Sequence, residues 1–231
     1  MSSLITRRKF IAGAAAASVL AGCDAHPIKR FINGTMMHWN EKVESLIFSP
    51  SRLAPELPAS ETTPKNQFPS YFISETMPTV PDNWTLAVGG LVERPLVLTL
   101  DQLRKLARIE VRTRHYCVEG WSAVASWQGV RVSEIARLAG LKAGVRYVEF
   151  NSFDEDYFTS WDLGSALHPQ TLLAYGMNGH VLGSDHGAPL RLYSAVKLGY
   201  KMCKYLTEVN FLPNKTGGYW EDQGYEWFAG V

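Results

Sequence analysis

Charge of one sign is missing from this 231-residue sequence: 23 Lys and Arg stand against 22 Asp and Glu, for a formal net charge of +1. Outside Arg7, Arg8 and Lys9 there is no cationic block, so the chain carries no electrostatic footprint for nucleic acid. Long apolar runs are missing too. The alanine-rich stretch Ile11 to Leu20 is too short to span a bilayer as a mature helix. Cysteine is scarce, with three residues and no Cys-x-x-Cys-His motif, which excludes a covalently attached c-type haem. No internal repeat or low-complexity tract occurs beyond the alanines. What is plentiful is apolar and aromatic side chain, 46% and 12% of residues, enough for one substantial core and not for two.

The N-terminus reads as an address rather than as part of the fold. Thr6-Arg7-Arg8-Lys9-Phe10-Ile11 places paired arginines before the short apolar run, the form of a twin-arginine signal used to export already folded proteins. Leu20-Ala21-Gly22-Cys23 then has the form of a lipobox, with Cys23 as the acylated mature N-terminus; an ordinary cleavage site beside an incidental cysteine is the alternative. The expectation is a signal peptide over 1–22, a periplasmic or cell-envelope location, and a lipid anchor. An exported protein meets oxidising conditions, so a disulfide between Cys117 and Cys203 stays open at this point.

Residues 23–67 read as a tether and approach segment, because Pro50, Pro55, Pro58 and Pro64 forbid long helices; a short helix is expected around Met36 to Ile47. The compact domain is expected over 68–231. Trp84 to Val92 reads as strand, glycine turn and strand, and further strands are expected at Leu96 to Leu98, Tyr147 to Phe153, Leu172 to Met177 and Pro189 to Val196. Helical spacing appears at Leu100 to Leu106, Val130 to Leu141 and Leu163 to Leu167. Short helices among many strands predict a single α+β domain of mixed sheets.

Chemistry concentrates in two places. In Arg114-His115-Tyr116-Cys117-Val118-Glu119-Gly120-Trp121-Ser122 a cysteine is bracketed by a cation, an imidazole, an acid and two aromatics. That surrounding suits a thiolate that binds a soft metal or attacks a substrate, and equally a structural cysteine among packed rings. In Asp185-His186-Gly187-Ala188-Pro189-Leu190-Arg191 and Leu198-Gly199-Tyr200-Lys201-Met202-Cys203-Lys204, glycines permit close backbone approach while His186, Arg191 and Lys204 supply phosphate donors. A turn entering a strand with solvated cations reads the same way.

Taken in order, these segments resemble the molybdopterin-binding domain of the sulfite oxidase family from about Phe68 onward. Leu46-Ile47-Phe48-Ser49-Pro50 and Pro69-Ser70-Tyr71-Phe72-Ile73-Ser74 resemble the opening segments that lie along the pterin. The resemblance implies a sulfite-oxidase-type fold with a molybdenum-molybdopterin cofactor. Cys117 falls at its metal-ligand position and Tyr157 at that of a tyrosine facing the metal, and both are implied to be catalytic. Phe72, Ile73, Ser74, Ser152, His186, Arg191, Met202, Cys203 and Lys204 fall at cofactor-contacting positions, with Cys203 contributing backbone. His115 and Glu119 are candidates to tune the thiolate from behind. Tyr219 to Tyr225 resembles the family's closing motif.

Within that family, Cys-Val-Glu-Gly-Trp-Ser is similar to the periplasmic protein-methionine-sulfoxide reductase catalytic subunits rather than to sulfite oxidases, which read Cys-Ala-Gly-Asn. Departures cut both ways. His186 follows the sulfite oxidase pattern, Ser74 stands where sulfite oxidases carry arginine, and Ile73 stands where the reductases carry glutamate. The implied activity is two-electron oxygen-atom transfer on a small S-oxide, N-oxide or sulfite-like molecule. A monomeric catalytic subunit would exchange electrons with a separate redox partner such as a membrane cytochrome. A non-enzymatic ligand-binding lipoprotein is the alternative, and a thiol catalyst using Cys117 with His115 as base ranks third.

Overall fold

The computed structural model describes Gly34 and Met36–Val231, apart from Glu155. The expected signal, its paired arginines and Cys23 lie outside the described residues. Two units are separated at residue 46: Met1–Leu46 and Ile47–Val231. The first contributes most of helix α1 (Met37–Ile47), where a short helix was expected. No helix among the described residues is long and apolar enough to cross a membrane.

In chain order the second unit contains β1 (Leu86–Gly90), β2 (Leu96–Leu98), α2 (Leu100–Arg104), β3 (Arg108–Tyr116), β4 (Ser122–Arg131) and α3 (Val132–Ala139). There follow β5 (Tyr147–Ser152), β6 (Phe158–Asp162), α4 (Leu163–Ala166), β7 (Thr171–Met177), β8 (His180–Val181), β9 (Arg191–Ser194) and β10 (Leu206–Leu212). The expected strands and helices fall on β1, β2, β5, β7, β9, α2, α3 and α4. The expected helix at Val130 starts later, because Val130 and Arg131 still pair with Leu173 and Leu172 across β4 and β7. The unit begins before Phe68: 47–67 packs on it through Leu57 N donating to Arg112 O and Thr63 N to Val124 O, both 2.9 Å. Proline keeps this stretch extended, so its free amides can serve the sheet.

Local chemistry sets the helices. Thr99 caps α2 by accepting from Gln102 N, and the Gln102 side chain accepts from Thr99 N in return, a closed capping box. Helix α3 buries Val132, Ile135, Ala136 and Ala139 on one face and stops at Gly140, whose φ of +69° a side chain would resist.

Two five-stranded sheets form an α+β domain. One has the order β2-β1-β10-β5-β6, antiparallel except for β1 beside β10. The other runs β3-β4-β7-β8, with β9 also paired to β7. The first sheet sends Leu86, Val88, Val148, Phe150, Trp161, Val209 and Phe211 into the main core. The second sheet has both faces covered. Alternation sends Val130, Leu173, Leu190 and Leu192 into that main core, and Val111, Ala125, Trp127, Leu172, Ala174 and Tyr193 into a smaller cluster on the other side. Every residue of β7 is therefore buried. The smaller, aromatic cluster forms the floor of the site described below.

The approach of β4 to β7 depends on Gly129, where a Cβ would stand 2.0 Å from the Leu173 carbonyl oxygen. Gly129→Ala should therefore cost about 2–3 kcal/mol as the strands are pushed apart. Urea unfolding checks this; a midpoint equal to that of the parent would show that the strands yield freely.

Candidate active site

Cys117 stands at the mouth of the β3–β4 hairpin. Its amide donates to Trp121 O at 3.0 Å, and Gly120 N donates to Cys117 O at 3.1 Å, closing a three-residue loop. Gly120 has φ +89° with nothing within 4 Å of a Cβ, so its backbone conformation, not its space, requires glycine. The loop is pinned by Glu119, whose carboxylate accepts from Trp121 Nε1 at 3.0 Å and from Cys117 Sγ at 3.7 Å. Burial, with the Glu119 carboxylate adding to it, pushes the half-buried Cys117 thiol above the ordinary range. Cys117 and Cys203 are both free thiols, so the disulfide left open by the sequence is not formed.

Strand β9 supplies the cationic side. Leu190 and Leu192 enter the core, so Arg191 and Tyr193 project from the opposite face. Tyr193 stacks on Trp127 at 4.5 Å, and the Arg191 guanidinium lies 4.8 Å from the centre of a Trp127 ring. Arg191 is 5% exposed, and its partners are carbonyls: His186 O at 3.0 Å and Leu192 O at 3.4 Å. None of the ion pairs among the described residues involves it. Burial lowers its pKa to about 10. Lys204 donates to Asp185 O at 3.1 Å, and burial with Arg191 nearby brings it down to about 7. Burial also holds His186 at about 4 and His115 at about 3. His115 Nδ1 and His186 Nε2 are buried without a hydrogen-bond partner.

These groups face one cavity of about 270 Å³. Cys117, Tyr157, Phe72, Ile73, His186, Arg191, Met202 and Lys204 line it, so eight of the residues named from the sequence come together. The Tyr157 hydroxyl donates to Tyr200 O, and burial raises its pKa well above the ordinary value. Ser74, Ser152 and Cys203 stand behind the lining. Ser152 Oγ donates to Lys204 O at 2.7 Å and accepts from Asp154 N at 2.8 Å. Asp154 in turn accepts from Ile73 N at 3.0 Å, Ser74 N at 3.1 Å and the Ser74 hydroxyl, holding 69–74 against the cavity. Cys203 is fully buried, and its carbonyl accepts from Leu192 N at 2.7 Å.

Three features escaped the sequence reading. Asp154 latches the 69–74 segment. Phe68 packs its ring against His115, Trp121, Trp127 and His186. Tyr71, Tyr200, Trp220 and Tyr225 form an aromatic wall. Only the wall had a signal, the aromatic density of Tyr219 to Tyr225.

A single protein thiolate, without a cluster of three or more His, Cys, Asp or Glu among the described residues, gives no all-protein metal cage. The arrangement instead suits a ligand that brings its own anionic group to the Arg191 side and takes sulfur from Cys117.

The family model for the oxidoreductase molybdopterin binding domain matches residues 74–220. The chain is 39% identical over 217 residues to a putative protein-methionine-sulfoxide reductase subunit of Azospira oryzae, covering 92% of this chain and 82% of that one. It is 31% identical to the protein-methionine-sulfoxide reductase catalytic subunit of Ralstonia nicotianae, over 71% of this chain and 56% of that longer protein. The crystal structure of the sulfane dehydrogenase SoxCD from Paracoccus pantotrophus superposes with a TM-score of 0.55 at 22% identity, over 57% of this chain and 39% of that one, a likeness of fold.

The cavity makes the empty protein acid-sensitive. His186 prefers the neutral ring when folded, with a pKa of about 4 against 6.5, so unfolding takes up a proton between those values. Its share of stability is complete above pH 6.5 and is lost as pH falls toward 4, with a slope approaching about 1.4 kcal/mol per pH unit. In denaturant titrations of cofactor-free protein across this range, His186→Gln should flatten the slope. An unchanged slope would mean that the ring charges freely in the folded state.

Proposed function

Because this chain belongs to the oxidoreductase molybdopterin-binding domain family, that of the sulfite oxidases, we propose that it is an exported oxygen-atom transferase acting on a small S- or N-oxide or sulfite-like molecule. The observation that carries this reading is Arg191, a buried guanidinium with carbonyl partners, in a cavity that also holds two buried imidazole nitrogens without a hydrogen bond. Buried charge of this kind calls for an anion, and a pterin phosphate is one. Arg191, Lys204 and His186 would hold that phosphate, and Cys117 would supply the sulfur ligand to molybdenum. When bound, the molybdenum-pterin group supplies two-electron oxygen-atom transfer.

The chain's own residues do the rest. Glu119 and Trp121 fix the hairpin that presents Cys117. Tyr157, protonated across the neutral range, keeps a hydroxyl beside the cavity that donates to Tyr200 O and would turn from that carbonyl to hydrogen-bond a substrate oxygen. Tyr71, Trp220 and Tyr225 give the cavity an aromatic flank. Similarity to protein-methionine-sulfoxide reductase subunits favours S-oxides as substrates. With no haem motif in the sequence, electrons would pass to or from a separate carrier, such as a membrane cytochrome. Arg7, Arg8 and Cys23 support export of the folded protein and lipid anchoring at the periplasmic face.

Metal and pterin analysis of the purified protein tests the cofactor, followed by a screen of S-oxides, N-oxides and sulfite with an artificial electron carrier. Cys117→Ser should keep the fold and much of the pterin while losing turnover; normal activity in that variant would refute the ligand assignment. Arg191→Ala should weaken pterin binding about ten- to a hundred-fold, because a charge-assisted hydrogen bond contributes on the order of 1.5–3 kcal/mol. Arg191→Lys should fall between, since the charge survives and the planar fork is lost. Equal pterin content in all three proteins would remove Arg191 from the site.

Export has its own test. Replacing Arg7 and Arg8 by lysine should retain the precursor in the cytoplasm, and Cys23→Ala should release the mature protein from membranes. Normal export of the lysine variant would exclude the twin-arginine route.

A further inference from the structure

The aromatic wall is assembled from two separate turns, and a buried ion pair joins them. Lys201 ends the 3-10 turn Gly199–Lys201, and its side chain is completely buried. Glu221 lies in the turn that follows Gly218, with its side chain 5% exposed. The Lys201 ammonium donates to the Glu221 carboxylate and to Ser160 O at 3.0 Å. The carboxylate also accepts from Thr159 Oγ1 at 2.7 Å, so both turns are moored to β6.

The neighbours of each charge line the cavity: Gly199, Tyr200 and Met202 around Lys201, Trp220 and Tyr225 around Glu221. The two sets meet where the Tyr200 and Tyr225 rings stand edge to face 5.3 Å apart, and within the second set Trp220 lies tilted against Tyr225 at 5.1 Å. On the other flank Trp220 meets Tyr71 of the 69–74 segment at 6.0 Å.

Stability alone does not account for charges at this place. Taking an ammonium and a carboxylate out of water costs several kcal/mol each as an order of magnitude, and well-packed apolar residues of similar volume commonly serve as well. What a directed ion pair with two further hydrogen bonds adds is geometry, since it ties the two turns to each other and to β6 at defined atoms.

We propose that Lys201 and Glu221 are positioning residues that set substrate specificity: their ion pair fixes the Tyr200–Trp220–Tyr225 wall, which receives the apolar group attached to the oxide. This rests on the oxygen-transfer reading above. The pair is bonded neither to the phosphate-binding cations nor to Cys117, and its turn holds Tyr157 through the Tyr200 backbone carbonyl rather than through the Tyr200 ring, so its loss alters recognition of bulky substrates more than the chemistry on small ones.

The test uses cofactor-loaded protein, an artificial electron donor, and two S-oxides, dimethyl sulfoxide and methyl phenyl sulfoxide. K201M and E221Q should each lower the melting temperature, since each leaves one charge buried alone. The double variant K201M/E221M should recover most of that loss, with molybdenum per chain and kcat on dimethyl sulfoxide within about twofold of the parent, while KM for methyl phenyl sulfoxide rises about tenfold, equivalent to roughly 1.4 kcal/mol. A stable double variant with the parent's KM for both substrates would overturn the proposal, as would loss of molybdenum, which would place the pair in cofactor binding.

E221D, which keeps the charges and shortens one arm, gives a second reading should the double variant fold poorly. It should raise the same KM without lowering molybdenum content, and parental KM values would again overturn the proposal. Calorimetric binding of methyl phenyl sulfone, an aryl analogue at the sulfone oxidation level, separates the two readings. Parent protein that binds the sulfone and turns over no oxide would refute the oxygen-transfer reading, while weaker sulfone binding by the variants would still support the positioning role.

Discussion

The structure turns on one guanidinium in the wrong medium. Arg191 is held over the face of Trp127 inside the protein, with carbonyl oxygens as acceptors. Such a charge persists only if the fold leaves its side chain no alternative, and β9 does so by alternation. Leu190 and Leu192 are committed to the main core, so Arg191 must project from the opposite face. A one-residue slip of β9 would bury the cation in the apolar core and turn two leucines out of it toward the cavity, and this penalty locks the register of the strand. The same alternation in β3 puts Val111, Thr113 and His115 on the cavity side, where the Thr113 hydroxyl meets that of Tyr193 at 2.8 Å.

Loops finish what the strands begin, and carboxylates hold the loops. Asp154 latches the 69–74 segment, Glu119 pins the hairpin at Cys117, and Glu221 moors the turn bearing Trp220. Each acid accepts hydrogen bonds from groups on a separate piece of chain or a separate side of its loop. The wall of the cavity therefore consists of short irregular segments whose positions are inherited from two rigid sheets. Ser152 shows how far that inheritance reaches: one hydroxyl at the end of β5 fixes both the Lys204 backbone and the Asp154 amide.

Much of this was legible in the sequence where a local pattern carries the signal. Strands rich in β-branched and aromatic residues and helices with apolar spacing fell where expected, and the short motifs named from the sequence come together around one cavity. Strands β3, β4, β6, β8 and β10 were not expected from the sequence; β4 is buried on both faces and shows no alternation of polarity, and Val130 and Arg131 accordingly read as the start of the helix that follows. Asp154, in a run of acids, looks like any solvated loop residue, yet it is 4% exposed and is bonded by the 69–74 segment from 80 positions away. The second-row residues Ser74, Ser152 and Cys203 carried the right neighbourhood without direct access to the cavity. Sequence adjacency cannot distinguish a residue that lines a wall from one that holds it up.

The thiol-catalyst alternative founders on electrostatics rather than on geometry. His115 and Cys117 do line one cavity, as their spacing on a strand suggested. A thiol catalyst needs an easily formed thiolate and a base near neutrality, whereas burial and Glu119 push the thiol up and burial holds the imidazole at about 3. Around Cys117 the protein disfavours negative charge on sulfur unless a cation arrives to share it. Around Arg191 and Lys204 it disfavours positive charge unless an anion arrives. These opposite deficits in one cavity set the requirement on any occupant: a metal to meet the sulfur and a phosphate to meet the guanidinium, carried on one rigid molecule. Mononucleotides and simple sulfoxides answer only one of the two demands, and a metal-bearing pterin phosphate answers both.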